Sequence, residues 1–307
     1  MYDIIIIGAG PAGLTAAIYA VRAGMNIAVF EKIGVGGQLI LTESVENYPG
    51  FPMISGPDLM DKFEKHAAKF GVEIAYEEVK AIKSKGKAHV VVTDEGEHET
   101  ICVIVASGSQ PRRLGAEGEK KFTGKGVSYC AVCDGPFFKN KEVVVFGGGD
   151  AAIKESIYLT QIVKKVTVVH RRDKLRAEKL LQKQAFENSK IDFIWDHVVD
   201  RIDGRDKLEG VTIKNTKNPD QKKKLPVEGI FVYIGHLPNT EFINVDKTSG
   251  GLIVTASCLL ETSISGIYAA GDCRDTCLRQ IATCVGDGAL AAYSAGEYVE
   301  RFKSGHL

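Results

Sequence analysis

The sequence predicts an α/β fold made of two Rossmann-like dinucleotide-binding domains with parallel central sheets, one inserted into the other. Three observations carry this prediction. Residues 3–7 (Asp-Ile-Ile-Ile-Ile) form a continuous β-branched run, of the kind buried on both faces of a parallel sheet, and lead into Gly8-Ala9-Gly10-Pro11-Ala12-Gly13. A second run, residues 142–146, leads into Gly147-Gly148-Gly149-Asp150-Ala151-Ala152. In both units the end of the next strand lies 23 positions after the first glycine (8 to 31, 147 to 170).

Taken in order, the first turn opens an Ala-rich helix that stops at Gly24, and residues 26–30 form a strand ending before Glu31. The second turn opens a helix to about Val163, followed by a strand at 166–169 that ends at His170. The echo continues: residues 103–108 lead to Pro111 and residues 231–235 lead to Pro238, each after a polar hairpin-like stretch (88–100 and 211–228). The tail from Gly250 returns to strand character and ends in an Ala-rich helix over about 281–301, which completes the first domain. The expected boundaries are 1–113 with 245–307 for one domain and 114–244 for the other.

Composition narrows the function classes. Thirty-nine basic residues balance 39 acidic ones, which argues against a nucleic-acid or membrane-surface binder. The one basic run, Lys222-Lys223-Lys224, reads as a solvated loop. No stretch reaches the roughly 20 apolar residues of a membrane span, and the start lacks a secretory pattern. An odd count of seven cysteines then points to a reducing, cytoplasmic setting.

At the first turn, Gly8, Gly10 and Gly13 permit a sharp bend and close backbone approach to a pyrophosphate, with Pro11 and Ala12 opening the helix whose N-terminus faces it. Glu31 stands where an acid holds ribose hydroxyls, so this site suits FAD or NAD. At the second turn (Gly147, Gly149, Asp150, Ala151) Ala152 takes the third glycine's place. His170-Arg171-Arg172, with Arg176 further on, replaces the acid. Guanidinium groups bind a 2′-phosphate that an acid would repel, so NADPH is favoured over NADH. The bland alternative is a solvated basic patch. Asp150 reads as a helix N-cap.

Cys130-Ala131-Val132-Cys133-Asp134 is the chemical centre. Two cysteines at this spacing close a small ring, a helix N-terminus favours the thiolate, and Asp134 stands ready to move the proton. Half of a zinc site is the competing reading; its other half would be Cys273 and Cys277, and no His-x-His pair supports it, so no metal is expected.

Together with Gly36-Gly37-Gln38-Leu39, Glu46-Asn47-Tyr48-Pro49-Gly50-Phe51, Gly271-Asp272 and Arg279-Gln280, these motifs run in order along the chain. In this the chain resembles the low-molecular-weight thioredoxin reductases, of the class II pyridine nucleotide-disulfide oxidoreductase family. The resemblance implies a homodimer that reduces thioredoxin with NADPH through FAD and the Cys130/Cys133 disulfide, with the NADPH domain rotating between half-reactions. It makes Cys133 the flavin-proximal sulfur, Cys130 its partner and Asp134 the acid. It places Glu31, Lys32, Gly36, Gly37, Gln38, Leu39 and Asn47 on FAD, Asp272 on its ribityl and phosphate region, and Arg279, Gln280 and Ile281 along the flavin. Gly235 joins the NADPH set. Cys273, Cys277 and Cys284 depart from the family pattern; they read as small apolar filler, against the sharper idea of an auxiliary thiol near the flavin. Rival functions are the same chemistry with a glutaredoxin-like or peroxidase partner as acceptor, and a flavin-linked redox sensor.

Overall fold

The computed structural model describes residues 1–42, 44–256 and 258–306. The chain forms two compact units, Met1–Gln110 with Leu237–Leu307, and Pro111–His236.

The first unit opens with β1 (Tyr2–Ile7), α1 (Pro11–Arg22) and β2 (Ile27–Phe30), then α2 (Gly56–Lys69) and β3 (Ile74–Ala75). A hairpin region follows as β4 (Val79–Lys85), β5 (Ala88–Thr93) and β6 (Glu97–Val105). The sheet order is β3-β2-β1-β6-β5-β4, parallel from β3 to β6 and antiparallel across β4, β5 and β6. Alternation along β1 sorts its residues between two cores. Ile4 and Ile6 pack with Leu14, Ala16 and Ala17 of α1, while Ile5 and Ile7 pack on the opposite face with Val103 and Val105. Each fully buried isoleucine contributes on the order of 1.5–3 kcal/mol.

The chain leaves the first unit along β7 (Ser109–Pro111). In the second unit come α3 (Glu119–Phe122), β8 (Val127–Ser128), α4 (Ala131–Asp134), β9 (Glu142–Gly147), α5 (Asp150–Leu159), β10 (Lys165–Val169), α6 (Lys179–Phe186) and β11 (Ile191–Ile194). Then follow β12 (His197–Gly204), β13 (Leu208–Asn215), β14 (Lys222–Leu225) and β15 (Gly229–Tyr233). A five-stranded parallel sheet has the order β11-β10-β9-β15-β8, and β12, β13 and β14 form a separate antiparallel sheet. One face of the parallel sheet packs Val143, Val145 and Val168 against Ile153 of α5; the other packs Val144 and Phe146 against Val211 and Ile213 of the antiparallel sheet. Lys222-Lys223-Lys224 is an edge strand rather than a loop, with Lys222 paired to Asp200 at 2.8 Å. Charge on an edge strand discourages pairing with a further chain.

The chain returns along β16 (His236–Pro238) and ends with β17 (Ile267–Ala269) and α7 (Ile281–Lys303) in the first unit. β17 pairs in parallel with the second half of β6, beyond the half that β5 occupies. Residues from Leu237 onward belong with the first unit, ahead of the crossing at 244/245 expected from sequence. Asn239 donates its N–H to Gly108 O at 3.0 Å and its amide Nδ2 to Ser107 O at 2.9 Å, and Thr240 donates to Gly251 O at 2.7 Å. Arg112 lies in the second unit, its N–H donating to Gly235 O at 2.9 Å. Small residues let α1 and α7 approach closely: a Cβ on Gly288 would come within 2.2 Å of Ala12 O.

Candidate functional site

In the first unit the glycine turn is forced by its surroundings. Gly8 has φ +106°, and a Cβ there would stand 2.4 Å from Ala106 O. A Cβ on Gly13 would lie 1.8 Å from Gly8 O, whereas Gly10 faces open space. α1 starts with Gly10 as N-cap, without a side-chain cap, and Pro11 in its first turn. Its free N–H groups and positive dipole end are therefore available to a phosphate. Glu31 closes the cradle by accepting Ala9 N–H at 2.9 Å and Ile33 N–H at 3.0 Å. Gly36 donates its N–H to Ala9 O at 3.0 Å, which draws the 36–39 segment against the turn. Lys32 is exposed and paired with Glu78 at 2.7 Å.

The same unit gathers the distal candidates at the start of α7. Asn47 Nδ2 donates to Gln280 Oε1 at 3.0 Å, and Gln280 forms a capping box with Thr283 just before Ile281. Asp272 accepts the Cys284 S–H at 3.4 Å. Burial pushes its carboxyl above the usual range, against that thiol and the Arg279 charge. Arg279 Nε is buried with no hydrogen-bond partner among the described residues. An acid held by one weak donor and a buried guanidinium N–H with no acceptor fit a polar ligand that offers hydroxyls and carbonyls. The turn, Glu31, Asp272 and Arg279 thus fit a flavin dinucleotide.

In the second unit, a Cβ on Gly147 would stand 2.5 Å from Tyr233 O and 2.6 Å from the Ala152 Cβ. Ala152 itself is fully buried in the third-glycine position. Gly149 is the N-cap of α5 and carries no side-chain cap, so that helix also leaves its N–H groups free. Asp150 is not the N-cap that its position suggests; it begins the helix, and its Oδ1 accepts Glu178 N–H at 2.7 Å. Ala151 is exposed beside it.

The basic segment divides by burial. His170 is 4 % exposed and lies under the turn, where a Cβ on Gly148 would meet its ring at 2.4 Å. Burial, reinforced by Arg176, Arg171 and Arg172, holds its imidazole below the ordinary value and therefore neutral. Arg171, Arg172 and Arg176 are exposed, and none makes an ion pair among the described residues. The Arg176 N–H donates to Gly148 O at 2.7 Å, which keeps its side chain near the turn. Positive charge beside the nucleotide turn thus comes from three guanidinium groups, while His170 supplies packing. This donor set fits a phosphorylated ribose.

Cys130 and Cys133 are joined as a disulfide with their Cα atoms 5.3 Å apart. Cys130 is the N-cap of α4, and its Sγ accepts Cys133 N–H at 3.2 Å. That N–H would stabilise negative charge on the same sulfur after reduction. The Cys130 N–H donates to Ser128 Oγ at 3.1 Å. Ala131 N–H donates to the Tyr233 hydroxyl, a contact across 102 positions that no spacing in the sequence announces. Cys273 is fully buried and its thiol is pushed up to about 11 by burial; the Cys284 thiol is also raised by burial. Cys273 is a core residue, Cys284 is partly buried beside Asp272, and Cys277 is exposed. No group of three or more His, Cys, Asp or Glu able to hold a metal ion occurs among the described residues. The sequence reading also passed over Asp287, which accepts Gly271 N–H at 2.9 Å and binds Arg274 through both carboxylate oxygens.

Two nucleotide-cradling turns and a cysteine pair closed at a helix start define an oxidoreductase that works on disulfides with dinucleotide cofactors. The profile of the pyridine nucleotide-disulphide oxidoreductases matches residues 2–288, and the chain belongs to that family. Thioredoxin reductase of Bacillus subtilis (strain 168) is 47 % identical over 305 residues, covering 99 % of this chain and 96 % of the relative. The crystal structure of thioredoxin reductase from Streptococcus pyogenes MGAS5005 has a TM-score of 0.92 at 48 % identity, covering 98 % of this chain and 99 % of that one. Thioredoxin reductase from Giardia duodenalis has a TM-score of 0.93 at 38 % identity, over 97 % and 99 % of the two chains. Family membership implies flavin and nicotinamide cofactors. No helix among the described residues is long and apolar enough to cross a membrane.

Proposed function

We propose that this chain is an NADPH-dependent thioredoxin reductase that uses FAD and the Cys130–Cys133 pair. The observation that carries the reading is the disulfide at the start of α4, in the same unit as a glycine turn flanked by three exposed guanidinium groups that make no ion pair among the described residues. The resemblance to thioredoxin reductases over 99 % of the chain supports it.

Gly8, Gly10, Gly13, Glu31, Asp272 and Arg279 would hold FAD, with the 36–39 segment and Asn47 beside it. Gly147, Gly149 and the guanidinium groups of Arg171, Arg172 and Arg176 would hold NADPH. Bound flavin supplies a two-electron carrier between the nicotinamide hydride and the disulfide. Reduction breaks the Cys130–Cys133 bond with two electrons and one proton, leaving a thiol and a thiolate. One thiolate then attacks the thioredoxin disulfide, and the other cleaves the mixed disulfide and restores the bridge. Asp134, at the end of α4, moves the proton between sulfur and solvent. The net reaction consumes NADPH, a proton and oxidised thioredoxin, and yields NADP⁺ and the thioredoxin dithiol. A cytoplasmic homodimer whose NADPH unit rotates between half-reactions completes the proposal.

Anaerobic titration of the purified protein with NADPH and NADH in parallel tests it. Bleaching of a flavin band by NADPH, with uptake of more electrons than flavin alone holds, is the expected result, followed by turnover with thioredoxin. Reduction by NADH alone, or by neither nucleotide, defeats the assignment.

A further inference from the structure

Tyr233 occupies a position that the proposed function does not use. Its main chain ends β15 inside the parallel sheet: it pairs with Gly147, the first glycine of the turn, and its carbonyl oxygen is the nearest atom that a Cβ on Gly147 would strike. Its side chain reaches the other chemical element of the unit, because its hydroxyl accepts Ala131 N–H at 2.5 Å, between the two cysteines.

Ala131 begins a helix of four residues, where the first N–H groups lack intrahelical partners. It is fully buried, so water cannot supply the missing acceptor, and a buried N–H left unpaired costs about 1–3 kcal/mol. The Cys130–Ala131 peptide is consequently held at both ends. Its N–H donates to Tyr233, and its carbonyl accepts Asp134 N–H at 3.0 Å. This plane sets the extended backbone of Cys130 (φ −141°, ψ 104°) and, with it, the alignment of Sγ under the Cys133 N–H. Two further titratable groups act on the same hydroxyl. They are Glu155 from α5, whose Oε2 is buried without a hydrogen-bond partner among the described residues, and Asp134 from α4. Both oppose ionisation of the phenol, as does burial, so the group that holds the peptide is a neutral hydroxyl.

We infer that Tyr233 is a positioning residue for the redox pair: its hydroxyl fixes the Cys130–Ala131 peptide so that the Cys133 N–H stabilises the Cys130 thiolate after reduction. This rests on the reading of Cys130 and Cys133 as the redox-active dithiol.

Tyr233→Phe keeps the ring and removes only the hydroxyl. In the flavin-loaded enzyme, reduced anaerobically, the rate of Cys130 alkylation by iodoacetamide is followed against pH by mass spectrometry. Loss of the aligned N–H moves the profile of the variant to higher pH, and labelling near neutral pH slows about threefold or more, the effect of half a pKa unit. Hydrogen exchange provides a measurement that needs no variant: the Ala131 amide is protected in the native enzyme although it lies in a helix's first turn, and Tyr233→Phe removes that protection. Superimposable alkylation profiles, or an unprotected Ala131 amide in the native enzyme, overturn the inference. Reduction is carried out with NADPH and, separately, with dithiothreitol. Failure of NADPH to expose the two thiols would count against the proposed function, while the dithiothreitol arm still decides the role of Tyr233.

Discussion

The carboxylate of Glu31, at the end of β2, accepts the backbone N–H of Ala9 inside the glycine turn at 2.9 Å. The acid and the turn are therefore one object. The carboxylate that would receive ribose hydroxyls also keeps the turn closed, and its second oxygen steadies Ile33 N–H at 3.0 Å. Replacement Glu31→Ala leaves both amides without this acceptor and removes the ribose ligand. FAD affinity should fall by about 1.5–3 kcal/mol per charged hydrogen bond lost, at least tenfold. Flavin fluorescence during reconstitution of the apoprotein reads this directly, and unchanged affinity would remove Glu31 from the site.

Cys133→Ser cannot form the bridge, yet it leaves every residue proposed to hold the flavin unchanged. The variant should retain its yellow cofactor and lose NADPH-dependent reduction of thioredoxin. Sustained turnover would take the dithiol out of the mechanism.

Arg171 and Arg172 are exposed and carry charge that His170, buried and neutral, does not. Changing both to Ala should weaken NADPH binding by roughly 1.5–3 kcal/mol for each charged hydrogen bond lost. NADH, without a 2′-phosphate, should be used as before. The ratio of kcat/KM for the two nucleotides tests the point, and an equal loss for both would defeat the phosphate assignment.

His89 is 2 % exposed on β5, and burial holds its imidazole below the ordinary 6.5; His170 is lowered for the same main reason. The unfolded chain therefore binds these protons more tightly than the folded one. The stability that the neutral rings contribute is complete above about pH 6.5 and is lost as pH falls through the folded-state values. Urea unfolding at about pH 7.5 and about pH 5.5 should show a lower midpoint in acid. The drop should be smaller in His89→Gln, and an identical drop would acquit His89.

Gly288 of α7 lies so close to α1 that a Cβ would come within 2.2 Å of Ala12 O and 3.1 Å of the Thr15 Cβ. Gly288→Ala should force the helices apart and destabilise the unit by about 1–3 kcal/mol, seen as a reduced urea midpoint. An unchanged midpoint would mean that the α1–α7 packing yields at no cost.

Much of this molecule is written locally. Apolar runs such as residues 4–7 and 143–146 sit beside glycine turns, and such signals depend only on neighbours a few positions away. They yield the parallel strands of both sheets, the two helices that follow the turns, and the contrast between the acid Glu31 after the first unit and Arg171 and Arg172 after the second. The short strands β8 and β17 carry no such signal, because their partners, β15 and β6, lie far along the chain. Lys222-Lys223-Lys224 looks like a loop by composition and becomes a strand because β13 offers it an edge. Asp150 shows the same limit: its place suggests a cap for its own helix, but Gly149 is the N-cap and the Asp150 carboxylate accepts Glu178 N–H.

The sequence by itself determined the repeated strand–turn–helix–strand unit, the cysteine pair and the opposite charges that follow the two units. Each of these depends on residue type and short spacing. Tertiary structure decided which charges remain and which contacts form. It buried His170 into neutrality, left Arg279 Nε without an acceptor among the described residues, and carried the Tyr233 hydroxyl across 102 positions to the amide between the cysteines. Burial and long-range proximity are properties of the packed chain, and no local pattern of residues encodes them.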